Sequence, residues 1–157
     1  MSKPLLIALA AGLIGITGAI AQDASSSSSA MASSSAMASS SAEAPAAVTG
    51  DAAAGKTVFG ICASCHAIGP GATNRVGPEL NGLIGRPAGS VADYRYSAAM
   101  KNSGLTWDVA TFQKYIADPK ALVPGNKMSY GGLKDPTQVA NLTAYLASFN
   151  ADGSPKQ

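Results

Sequence analysis

Two thiols and one imidazole fall within five residues, Cys62-Ala63-Ser64-Cys65-His66. They are the only cysteines and the only histidine in the 157-residue chain. Cysteines three apart share one side of a helical turn, so both sulfurs can reach a single large ligand. This is the spacing of c-type haem attachment: each thiol takes one vinyl group of a porphyrin. The histidine that follows is carried beneath the ring, where an imidazole nitrogen ligates the iron. The rival chemistries lack partners. A thioredoxin-like redox pair needs a βαβ context, and no strand alternation surrounds these residues. A zinc site needs a fourth nitrogen or sulfur ligand, and there is no second His or third Cys. A disulfide across two intervening residues closes too short a loop to stabilise much.

Iron has a second axial position, and its occupant separates electron transfer from catalysis. With no other His, the candidates are thioethers. Met1, Met31 and Met37 lie in the first fifty residues; Met100 sits between Ala99 and Lys101 in a short helical pattern that suits packing. Met128 follows Pro124-Gly125-Asn126-Lys127, an extended loop start that can aim a side chain across a cleft. Met128 is therefore the expected sixth ligand. A soft thioether favours ferrous iron, and apolar burial disfavours the extra charge of the ferric site, so both raise the potential.

The elements that position these groups read as helices joined by long loops. Asp51 is an N-cap, and Gly55, Val58, Phe59 and Cys62 recur at helical spacing, placing the motif at the end of a first helix. Residues 67–90 are loop, punctuated by Gly69-Pro70, Gly77-Pro78, Gly82, Gly85 and Gly89. A short helix is expected over 97–102. Thr106 is the expected cap of a further helix carrying Val109, Phe112, Tyr115 and Ile116, stopped ahead of Pro119. Residues 120–132 read as irregular. Asp135-Pro136 caps a terminal helix with Val139, Leu142, Tyr145, Leu146 and Phe149 on one face. The fold class is all-α, a few helices and long loops wrapped around one covalently bound haem. A core of about a hundred residues is marginal alone, and a rigid cofactor supplies the missing staple.

The chain divides into 1–21, 22–50, 51–150 and 151–157, the last expected as a flexible tail. Leu5 to Ala21 carries no charge and ends Ala19-Ile20-Ala21, the small-x-small form of a signal-peptidase site. Two readings stand: a cleaved export signal, or an uncleaved anchor just long enough for a thin bilayer. Both put the folded part outside the cytoplasm, in the periplasm. The hexad Ser-Ser-Ser-Ala-Met-Ala runs at 27–32 and 33–38, and again at 39–44 with Glu43 for Met. It has no apolar stripe to offset ordering entropy and reads as a spacer with a reach on the order of 30 Å. Net charge is +2, which gives little support to a general nucleic-acid or membrane-surface role.

From Asp51 to Asn150 the chain resembles the class I monohaem cytochromes c of mitochondrial and alphaproteobacterial type. Beyond the haem motif the likeness rests on Gly77-Pro78, Gly85-Arg86, Gly104-Leu105-Thr106-Trp107, Tyr115-Ile116-Ala117-Asp118-Pro119-Lys120 and Pro124-Gly125-Asn126-Lys127-Met128. The resemblance implies that the Pro78 carbonyl fixes the His66 tautomer. It implies that Arg86, Tyr96, Trp107 and Asn126 surround the haem propionates, that Tyr115 stands beside the axial methionine, and that Met128 is that methionine. It also implies that Gly55 and Phe59 cross Leu142 and Tyr145 where the terminal helices pack. Asn126 stands where many relatives have Thr, Met100 where Asn is frequent, and Tyr130 where Phe is usual.

With both axial positions filled by protein, the expected function is one-electron transfer between redox complexes, and not catalysis. The expected partners are a quinol–cytochrome c reductase-type donor and a terminal oxidase or other reductase as acceptor. They would dock near Lys120, Lys127 and Lys134, with 5–21 as a membrane tether if it is retained. A tethered subunit of a larger complex is the alternative. A haem enzyme or sensor with a labile sixth ligand finds no distal acid–base pair, since His66 is consumed and no Glu or Asp adjoins Met128.

Overall fold

The computed structural model describes residues 47–157, so the leader, most of the spacer and the signal-or-anchor alternative lie outside the described residues. Five helices are present in that range: α1 (Ala52–Phe59), α2 (Ala98–Lys101), α3 (Val109–Ala117), α4 (Pro119–Leu122) and α5 (Pro136–Ala147). Among the described residues there is no strand; Pro87 and Thr106, and Phe149 and Pro155, pair as isolated antiparallel bridges.

Helix α1 has only eight residues, too few to be stable alone. Asp51 starts it as expected, its Oδ1 accepting from the backbone N–H groups of Ala53 at 2.7 Å and Ala54 at 3.1 Å. Asn141, halfway along α5, accepts from the Asp51 N–H at 2.8 Å and ties the start of α1 to its partner. At the crossing Gly55 is buried, and a Cβ there would lie 2.8 Å from the Tyr145 Cβ and drive into the Asn141 carbonyl. The helix-weakening glycine is thus the condition for close approach. Phe59 packs on Tyr145 with ring centroids 5.4 Å apart, and Tyr145 meets Phe149 edge-on at 5.3 Å. Leu142 and Leu146 are 1% exposed, and burial of each contributes about 1.5–3 kcal/mol.

Several boundaries differ from the sequence reading. Helix α1 ends at Phe59 and the haem motif follows in turns, with Cys62 N–H donating to the Phe59 carbonyl at 2.8 Å and Cys65 N–H to the Cys62 carbonyl at 3.0 Å. The cap of α3 is Asp108, whose Oδ1 accepts from the Thr111 N–H at 2.7 Å. Thr106 is drawn instead into the ribbon with Pro87, where Trp107 N–H donates to the Arg86 carbonyl at 2.9 Å. Helix α4 lies in a stretch read as irregular; Asp118 caps it, accepting from Ala121 N–H at 3.1 Å, with Pro119 at its first position. Residues 151–157, expected as a free tail, turn back on the end of α5. Lys156 N–H donates to the Ser148 carbonyl at 2.7 Å, and Gly153 is buried against Gly69 and Asn81.

Replacing Gly55 with Ala forces α1 and α5 apart. The expected loss is about 3 kcal/mol or more, at the upper end of overpacking costs, read as a lowered denaturation midpoint of the haem-loaded protein. An unchanged midpoint would mean the crossing is not tight.

Candidate haem site

The helices and loops enclose a cleft of about 280 Å³. Leu83, Trp107, Phe112, Ile116, Leu142 and Leu146 form its apolar depth, all of them buried. Cys62, Cys65 and His66 line it from the motif side, and Asn126, Lys127 and Met128 from the loop after α4. Residues more than sixty positions apart in the sequence are thus brought to one cavity.

His66 is held from behind. Its Nδ1 lies 2.7 Å from the Pro78 carbonyl oxygen, which has no proton to give, so Nδ1 is the donor and Nε2 is left free for a ligand. Burial lowers its pKa, opposed by the Pro78 hydrogen bond, so the free ring is favoured neutral, the ligating form. Gly77 makes room for the ring: a Cβ there would sit 2.6 Å from Nδ1 and 2.7 Å from Nε2. Gly77 N–H also donates to the Cys65 carbonyl at 2.8 Å, so the loop and the motif are stitched together at adjacent residues.

Cys62 and Cys65 are half-buried and unbridged. Burial, with Cys65 as a neighbouring group, pushes the Cys62 thiol up, leaving it protonated until it is bonded or activated.

Asn126 builds the opposite side. Its Nδ2 donates to the carbonyls of Pro119 and Val123, both at 2.8 Å, and its Oδ1 accepts from the Met128 N–H at 2.9 Å. All three bonds serve the loop that carries Met128, so this side chain acts as a brace for the methionine as well as a lining residue. Met100 is buried on α2 and also borders the cleft.

The remaining expected residues also line the cavity. Trp107 packs at a tilt against Tyr115 with centroids 4.8 Å apart, both 7% exposed, and burial pushes the Tyr115 phenol up to about 12. Tyr96 packs edge-on against Tyr94 at 4.7 Å, and burial raises its phenol too. Arg86 is paired with Glu79, a carboxylate the sequence reading did not single out. Exposed Ile61 and Val76 at the cleft were missed as well. They are apolar residues standing in water beside the motif, visible only once the loop closes over it.

The donor set fits a haem: two free thiols, an imidazole with Nε2 free, and a thioether, around an apolar cleft. Such a site in a helical shell defines a c-type, electron-transferring class of protein. Residues 52–150 match the cytochrome c family. The chain is 58% identical over 106 residues to cytochrome c-550 of Bradyrhizobium diazoefficiens, covering 68% of this chain and 78% of that one. It is 54% identical over 110 residues to cytochrome c2 of Blastochloris viridis, covering 70% and 87%. Among solved structures it is similar to cytochrome cH from Methylobacterium extorquens, with a TM-score of 0.58 and 49% identity over 62% of this chain and 97% of that one.

The chain belongs to the cytochrome c family. It has the all-α cytochrome c fold, carries one covalently bound haem c, and is an electron-transfer protein with redox partners.

Replacing Gly77 with Ala inserts a methyl group against the imidazole. The expected result is a holoprotein with perturbed visible spectra and faster ligand exchange with added imidazole, read by absorption spectroscopy. Native spectra and exchange would show that the ring tolerates the displacement.

Proposed function

We propose that this chain is an exported one-electron carrier in which His66 Nε2 and Met128 Sδ take the two axial positions of the haem, with Cys62 and Cys65 as the covalent attachments. The observation that carries this reading is that His66 and Met128, each braced by a hydrogen bond to its own loop, line the same apolar cleft. The haem, when bound, supplies a couple that gains and loses one electron.

The protein's part is to hold both ligands so that neither must move. Pro78 holds the imidazole and its proton at Nδ1, and Asn126 holds the backbone of Met128. Buried Leu83, Phe112, Leu142 and Leu146 exclude water, which disfavours the state with the extra positive charge. Arg86, Tyr96 and Trp107 supply the polar edge of the cavity, where propionates would sit, and Tyr115 stands within the lining.

Partners dock at the exposed rim made by Ile61 and Val76, which are 57% and 76% exposed, with Lys127 beside them. Lys120 is exposed on α4 and adds charge. Lys127 and Lys134 each donate to a backbone carbonyl, of Arg95 at 3.2 Å and of Ala117 at 2.7 Å, and Lys134 contributes less to docking because the Asp118 carboxylate lies 3.6 Å from its Nζ. Export follows from the run at 5–21 and the Ala19-Ile20-Ala21 cleavage form. Among the described residues no helix is long and apolar enough to cross a membrane. N-terminal sequencing of the purified protein separates a cleaved signal from a retained tether.

Substituting Met128 with Ala tests the ligation. The reduced-to-oxidised ratio at fixed solution potential should fall more than tenfold, which is about 59 mV for one electron, with loss of the sulfur-to-iron charge-transfer band. A native band and potential would assign the position to another residue.

Docking is tested with an isolated quinol–cytochrome c reductase as donor. The rate should fall as ionic strength rises from about 0.01 to 0.15 M, where the screening length shortens from about 30 to about 8 Å. Lys127→Glu should lower the low-salt rate and flatten that dependence; the same rates as wild type would move the docking surface elsewhere.

A further inference from the structure

Arg86 lines the cleft, and its guanidinium is engaged by groups outside the cavity lining. Nη1 donates to Glu79 Oε1 at 2.7 Å and to the Asn81 carbonyl at 2.8 Å, and Nη2 donates to the Glu79 carbonyl at 2.9 Å. The two side chains are 18% and 19% exposed, so solvent screens the pair only partly. Glu79 is not among the lining residues of the cleft; it borders a separate, more open cavity with Asn74 and Ala92, and Arg86 lines both.

The carboxylate is fixed on every side. Its Oε2 accepts from the Asn81 N–H at 2.6 Å, and the Glu79 N–H donates to Asn74 Oδ1 at 3.0 Å. Asn81 is itself clamped to Gly69, accepting its N–H at 2.8 Å and donating to its carbonyl at 3.1 Å. A carboxylate bonded at both oxygens is held against the guanidinium and away from the cleft lining.

We propose that Glu79 is a positioning residue that sets the reduction potential: it holds Arg86 at the cleft wall and offsets most of its positive charge there. This rests on the haem occupying the cleft as proposed above. A bare guanidinium in a poorly screened wall favours the reduced, less positive state of whatever iron site the cleft holds, and a carboxylate close behind it cancels most of that field. Arg86 lies nearer the cavity than Glu79, so the cancellation is large but incomplete.

The experiment is redox titration of holoprotein variants at one ionic strength, with thermal unfolding and haem content measured on the same samples. Glu79→Gln keeps the shape and removes the charge. It should raise the reduced-to-oxidised ratio at fixed solution potential by about threefold to tenfold, tenfold being about 59 mV for one electron. Arg86→Gln should lower the ratio, and the double variant should return to within about twofold of wild type.

A Glu79→Gln protein that loses thermal stability while its ratio stays put overturns the proposal, since a purely structural role predicts that pattern. A double variant that falls as far as Arg86→Gln overturns it too. If a single variant leaves an unpaired charge and does not accumulate, the double against wild type decides by the same twofold criterion. Failure of the underlying reading looks different: the wild-type protein itself would lack covalent haem or the sulfur-to-iron band.

Discussion

The hydrogen bond between His66 Nδ1 and the Pro78 carbonyl, 2.7 Å long, is the constraint on which the site depends. It fixes a proton on one ring nitrogen and leaves the other free, and it does so with a backbone acceptor that cannot rotate away. The bond exists only because Gly77 has no side chain to strike the imidazole, and because Gly77 N–H is anchored to the Cys65 carbonyl. Motif and loop therefore form one unit. The two residues that hold the imidazole from behind come from a stretch with no regular structure.

A chain this poor in helix needs other ways to order its loops. Side-chain amides do much of that work. Asn81 clamps Gly69, Asn126 braces the Met128 loop, Asn74 accepts from Glu79, and Asn141 receives the first N–H of the α1 cap. Each replaces a backbone pairing that helix or sheet would have supplied, satisfying groups that would otherwise be costly to leave unpaired. Gly153 extends the scheme by packing the chain end against Gly69 and Asn81, so the segment beyond α5 supports the loop after the haem motif. The apolar cleft that these braces hold open exposes leucines and aromatics to no protein partner on one side, which a bound porphyrin would cover.

The covalent chemistry was legible from five residues, because the spacing of two thiols and an imidazole has few other uses. The glycine at 55 and the apolar face of α5 were legible for the same kind of reason: their periodicity states what must be buried. Local capping was harder. Thr106 and Asp108 are both good caps, and the choice was made by Trp107 pairing with Arg86 in the ribbon, a contact twenty-one residues distant in sequence. Helix α4 was hidden because Pro119 reads as a stop for α3, yet it also serves as the first residue of the next turn. Lys134, read as a docking charge, also meets the unpaired carbonyls at the end of α3, a contact no local pattern announced. The partnership of Glu79 with Arg86 had no local signature, because six residues of irregular loop lie between them.

Interior and surface charge follow different logics in this molecule. At the rim, Lys127 is exposed beside apolar Ile61 and Val76, an arrangement suited to brief encounters in which charge steers and a small dry patch gives contact. Inside, the cation that borders the cleft is matched with a carboxylate and tied to three backbone groups, two carbonyls on Arg86 and the Asn81 N–H on Glu79. A part-buried pair of this kind gives little net stability, since desolvation offsets much of its attraction. The role proposed for it lies in where it puts charge. A carrier that gains and loses an electron changes its own charge each time, and fixed dipoles and paired ions accommodate that change without moving. On the proposed ligation, the bracing amides, the glycine beneath the imidazole and the Arg86–Glu79 pair would serve one requirement, that the surroundings of the iron be the same before and after transfer.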